Sequence, residues 1–90
     1  MTKIDPHDTS KCIGRLLLAH RKMQGCSQAQ MGAVLGVSFQ QVQKYETGVN
    51  RISAGSLLLL SRAWGIPISE FFQIRKKLNT GWIMIVESQL

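Results

Sequence analysis

Three glutamines and a lysine fall between positions 40 and 44, inside the stretch VSFQQVQKYETG at 37–48. A glutamine amide carries both donors and an acceptor, and a lysine ammonium carries donors only. Grouped on one face, such side chains can read the edges of bases: glutamine pairs with adenine N6 and N7, lysine with guanine O6 and N7. At about 100° per residue the segment reads as a helix. Val42 and Tyr45 then point inward, Gln40, Gln43 and Lys44 lie opposite, and Phe39 and Gln41 sit on the flanks. Phe39 could touch a thymine methyl or pack on the preceding helix. Taken alone, glutamines are also ordinary residues of a solvated helix surface.

The elements around this face decide between those readings. Ser27-Gln28-Ala29-Gln30 and Ser38-Phe39-Gln40-Gln41 both have the S-x-x-Q form of a capping box, and each opens a short helix. The first helix of the pair has Met31 and Leu35 as its core line and closes at Gly36; the second stops at Gly48. A joint as short as Gly36-Val37-Ser38 forces a steep crossing, so a helix-turn-helix is expected at about 27–46. Gly32, without a side chain, would let the two helices approach.

Before this pair, Asp8, Thr9 or Ser10 can cap a helix with Ile13, Leu17 and His20 inward, ending at Gly25. After it, VNRIS forms a loop, Ser53 caps a fourth helix ending at Gly65, and Ser69 opens a fifth, SEFFQIRKKL. The fold class expected is all-α: a flexible arm at 1–8, a compact five-helix domain at 9–79, and an apolar, β-prone tail at 80–90.

Charge agrees with an anionic partner. Eleven Lys and Arg face five Asp and Glu, a net charge of +6. Between Asp8 and Glu70 the lone acid is Glu46, against Lys11, Arg15, Arg21, Lys22, Lys44, Arg51 and Arg62. Nucleic acid ranks first and an anionic membrane second. The tail lacks the basic amphipathic pattern of a membrane-surface helix, and no apolar run is long enough to span a bilayer. Cys12 and Cys26 form no C-x-x-C pair and read as small hydrophobes in a reduced, cytoplasmic setting. No carboxylate pair, nucleophile with a base, P-loop or metal cluster is present, so neither an enzyme nor a cofactor or metal is expected.

Residues from about Ile13 to Phe72 resemble the Cro and lambda-repressor-like helix-turn-helix domain. The resemblance rests on Ser27-Gln28, LGVS at 35–38, KYETG at 44–48 and WGIPISEFF at 64–72, in order and at the family's spacing. It implies base contacts from Phe39, Gln40, Gln41 and Lys44, with Gln43 a further candidate; Gln41 could instead be held by its own capping box. It implies phosphate contacts from Gln28, Ser38, Asn50 and Arg51, and a structural ion pair between Arg21 and Glu46. The partner it implies is double-stranded DNA, read by a homodimer at a palindromic operator, most often for repression.

The chain departs from that family in several places. Leu16, Leu18, Val34 and Leu59 stand at positions usually polar, and His20 stands where an aliphatic residue is usual. A buried neutral His20 with a hydrogen-bond partner is the expectation. Extra apolar surface asks for a partner. Trp82-Ile83-Met84-Ile85-Val86 could join two copies or fold back over the exposed leucines. The competing function is an antitoxin or other protein-interaction module whose apolar tail binds a partner protein.

Overall fold

The computed structural model describes the backbone of residues 6–78 and 81–86 and the side chains of residues 9–73. Four α-helices follow in order: α1 Pro6–Met23, α2 Gln28–Leu35, α3 Phe39–Glu46 and α4 Ala54–Trp64. A 3-10 turn, Ile68–Phe72, leads into β1 Gln73–Leu78, which pairs antiparallel with β2 Gly81–Val86 in the register Gln73 to Val86 through Leu78 to Gly81.

Every helical element sends at least one side chain into a single core. Leu17 comes from α1, Met31 from α2, Val42 from α3, Leu57 and Leu60 from α4, and Phe71 from the 3-10 turn. Burying each such side chain stabilises by about 1.5–3 kcal/mol relative to leaving it in water. These contacts hold short helices that would be marginal alone. At α4, the Ser53 hydroxyl accepts from Ser56 N at 3.1 Å, and Gly65 ends the helix in a left-handed conformation.

Gly14 is where α1 meets the end of α3. A Cβ added there would lie 2.5 Å from the carbonyl oxygens of both Tyr45 and Glu46. The absent side chain therefore sets the distance between the two helices.

The chain differs from its sequence-based reading in four places. α1 begins at Pro6, ahead of the caps read at 8–10; proline suits the first helical turn because its missing N–H would have no partner there. Residues 1–5 of the expected arm lie outside the described residues.

No fifth α-helix forms from SEFFQIRKKL, because its first half is one 3-10 turn and the rest pairs as β1 with β2. The ladder satisfies backbone groups that a helix would otherwise have satisfied internally, and tertiary pairing outweighs helix propensity. The chain is thus helical with an appended hairpin rather than wholly α. The side chains of the tail, and with them its expected dimer or fold-back role, lie outside the described residues, as do residues 87–90.

Leu16 and Leu18 are half-buried, whereas Val34 and Leu59 are exposed, together with Leu58. His20 packs edge-on against Phe71 at 5.6 Å, with Nε2 at 3.9 Å from Glu70 and Nδ1 buried without a partner among the described residues. The expected hydrogen bond is not made among the described residues, and the ring meets Phe71 instead. Among the described residues no helix is long and apolar enough to cross a membrane.

Candidate nucleic-acid interface

The two helices at 28–46 are set against each other by their ends. Ser27 closes a full capping box: its hydroxyl accepts from Gln30 N at 3.0 Å, and Gln30 Oε1 accepts from Ser27 N at 2.8 Å. α2 stops at Gly36, which adopts φ 71°, and Val37 N donates back to Gly32 O at 2.9 Å. Gly32 is buried under that joint, where an added Cβ would stand 2.5 Å from Val37 O. Ser38 opens α3 by accepting from Gln41 N at 3.2 Å.

At this second box the return bond is not made. Among the described residues the Gln41 side-chain amide has no partner, so the alternative in which its own cap holds it does not occur.

α3 turns Val42 fully inward and Tyr45 partly so. Gln40, Gln43 and Lys44 are exposed, Phe39 is 47% exposed, and Gln41 is half-buried. The five candidate base-reading residues thus share one stretch of one helix. Phe39 is not among the residues packed on the core. At the far end, Thr47 caps the helix and Asn50 N donates to Lys44 O at 3.1 Å, folding the loop back against α3. Asn50 and Arg51 are exposed on that loop, and Ser38 is exposed at the opposite end. The candidate phosphate contacts therefore bracket the helix.

Glu46 turns away from this surface. It is 7% exposed and is the buried polar residue of the core region. Arg21 Nε donates to its Oε2 at 2.6 Å and Arg21 Nη2 to its Oε1 at 3.2 Å, while Arg21 Nη1 reaches Cys26 O at 2.9 Å. The pair joins α1, the α1–α2 connection and α3. The hydrogen bonds that Arg21 donates to Glu46 raise the Arg21 pKa above its ordinary value, outweighing the opposite effect of burial.

Two further contacts had no sequence signal. Gln28 Nε2 donates to Glu46 Oε1 at 3.0 Å, and Gln43 Nε2 donates to Gln28 Oε1 at 3.2 Å. The residue expected at phosphate and one expected at bases are therefore joined to the ion pair. Their separations of 18 and 15 residues put them beyond any local spacing rule.

The profile of the Helix-turn-helix family matches residues 17–71. Over 72 residues the chain is 42% identical to an uncharacterized HTH-type transcriptional regulator, y4wC, of Sinorhizobium fredii, covering 80% of this chain and 50% of that protein. A second such regulator of the same organism, y4aM, is 48% identical over 61 residues, covering 68% of this chain and 43% of the relative. The chain spans about half the length of these curated relatives. The crystal structure of the restriction-modification controller protein C.AhdI from Aeromonas hydrophila superposes with a TM-score of 0.70 at 26% identity, over 77% of this chain and 100% of that one.

Proposed function

The chain belongs to the helix-turn-helix family, and from that premise we propose that it is a sequence-specific regulator of transcription that binds double-stranded DNA as a homodimer and represses by occupying a palindromic operator. One observation carries the reading: the outer face of α3 presents amides, an amine and an aromatic ring, while the single acid of the region is folded inward onto Arg21. A surface free of exposed carboxylates can approach phosphate without repulsion. The relatives' description as transcriptional regulators supports the same reading.

In this reading Phe39, Gln40, Gln41, Gln43 and Lys44 meet base edges, and Gln28, Ser38, Asn50 and Arg51 hold the backbone on either side. An eight-residue helix is about 12 Å long and covers only a few base pairs. A second copy supplies the rest, with half-sites about 34 Å apart. The exposed Val34 on α2 and Leu58 and Leu59 on α4 favour such a partner, because exposed apolar surface gains by being covered.

The test is selection of bound duplexes from a random library, followed by sequencing. A palindromic motif with half-sites one helical turn apart is expected, with binding that weakens steeply with salt. Arg51→Ala should then lower the salt slope by about one while leaving the motif unchanged. The same exposed apolar residues favour a second reading, an antitoxin-like module that binds a protein. Dimers that enrich no sequence at low salt would overturn the operator reading in its favour.

A further inference from the structure

Glu46 accepts from three donors: Nε and Nη2 of Arg21, and Nε2 of Gln28 at 3.0 Å. An ionised carboxylate has only acceptors to offer. The end of the Gln28 amide that meets it must therefore be the NH2, and the carbonyl must face the other way. That carbonyl accepts from Gln43 Nε2 at 3.2 Å. Gln43 in turn keeps its nitrogen toward Gln28 and its Oε1 away from it. Reversing either amide would set acceptor against acceptor or donor against donor. The charge on one buried side chain thus fixes the polarity of two amides in succession, out to the exposed face of α3.

On the DNA-binding reading above, we infer that Gln43 is a specificity-determining residue whose polarity is set by Glu46 through Gln28. Beside its one remaining N–H it offers the groove an acceptor, Oε1, and so favours the base pair that sets its amino group, adenine N6 or cytosine N4, on the side Gln43 faces. Holding Gln28 by its carbonyl also leaves the second Gln28 N–H as a donor for a backbone phosphate. Gln40 and Gln41 differ: their side-chain amides have no partner among the described residues and can turn either edge outward.

The experiment has one arm without DNA and one with it, comparing the full chain with Gln28→Met, which removes the middle amide at similar length. In free protein, the two side-chain amide protons of Gln43 should be shifted and exchange slowly in nitrogen-resolved spectra. Both features should collapse to those of a solvated glutamine in Gln28→Met. Wild-type Gln43 resonances already like free glutamine, and unmoved by Gln28→Met, would overturn the relay whatever the DNA results. In library selection, the position read by Gln43 is the one whose preference vanishes in Gln43→Ala. There the wild type should prefer one base pair by about tenfold, and either removing that pair's amino group or Gln28→Met should reduce this to about twofold although Gln43 is unchanged. Affinity unchanged when the amino group of the preferred pair is removed, with purine in place of adenine or pyrimidin-2-one in place of cytosine, or a preference that Gln28→Met leaves intact, would overturn the base-edge assignment. No motif for the wild type would overturn the operator reading and the base-edge assignment together, while the amide spectra decide the relay by themselves.

Discussion

α2 and α3 are both eight residues long and both open with Ser-x-x-Gln, yet only α2 is closed on itself. Ser27 and Gln30 satisfy each other, and Gly36 ends the helix with its N–H returned to Gly32. α3 keeps half of the same box and leaves Gln41 without a partner among the described residues. Their buried sides differ as well: α2 hides Met31 and Gly32, whereas α3 hides Val42 and a carboxylate. In α2 the Gln30 amide is spent on its own cap, whereas in α3 Glu46 and Gln43 are held from beneath and the amides of Gln40 and Gln41 have no partner among the described residues.

The largest expected effect separates the two anchors. Glu46→Ala strands the Arg21 guanidinium, which is 11% exposed, and should cost about 3–5 kcal/mol in denaturant unfolding. A loss below about 1 kcal/mol would show that α3 is held by its apolar side, as α2 is. Titration is a poor substitute for this variant. A pKa raised in the folded state adds stability that is complete below the unfolded value and is lost only as pH rises through the folded one. For Arg21 that window lies in strong alkali, so its contribution is flat around neutrality.

Next comes the joint between the helices. Gly32→Ala drives a methyl against Val37 O and should cost about 1–3 kcal/mol by the same unfolding measurement. Binding should fall with it, since the angle of α3 depends on that approach. Unchanged stability would mean that the joint gives way freely.

Lys44→Ala tests the outer face. Stability should stay within about 0.5 kcal/mol, while affinity for the selected site falls by about 1–3 kcal/mol and preference relaxes at one base. An equal loss on every sequence would make Lys44 a phosphate contact.

The smallest effect is the most direct reading of the two boxes. Gln30→Ala should cost about 0.5 kcal/mol of stability and leave base preference alone. Gln41→Ala should leave stability unchanged and alter binding. The reverse pattern would erase the distinction between α2 and α3.

Much of this was legible in the sequence because it is local. Serine caps at 27, 38 and 53, and glycine stops at 36 and 65, mark α2, α3 and α4 through interactions that reach three or four residues. The clustering of Gln40, Gln43 and Lys44 opposite Val42 follows from helical geometry alone. The fifth helix failed for the opposite reason: Gln73–Leu78 is decided by a strand paired with it from a later segment. Residues 74–78 carry enough lysine and leucine to suit a helix. Likewise, that Glu46 is buried, and that Gln28 and Gln43 join it, depends on three helices meeting. Spacing in the chain carries no trace of that meeting. His20 is intermediate: its inward position follows from periodicity, but its neighbour Phe71 comes from the far end of the fold.

The exposure of Phe39, Gln40 and Lys44 has a consequence for how this domain can change. None of the three side chains holds the fold, so each can be replaced with little effect on stability. On the operator reading proposed above, target choice is therefore free to drift or to be rewritten at these positions, while Gln28, Gln43 and Glu46, joined by hydrogen bonds, would have to change together. A retargeting library built on this scaffold should vary 39, 40 and 44 and leave the trio fixed.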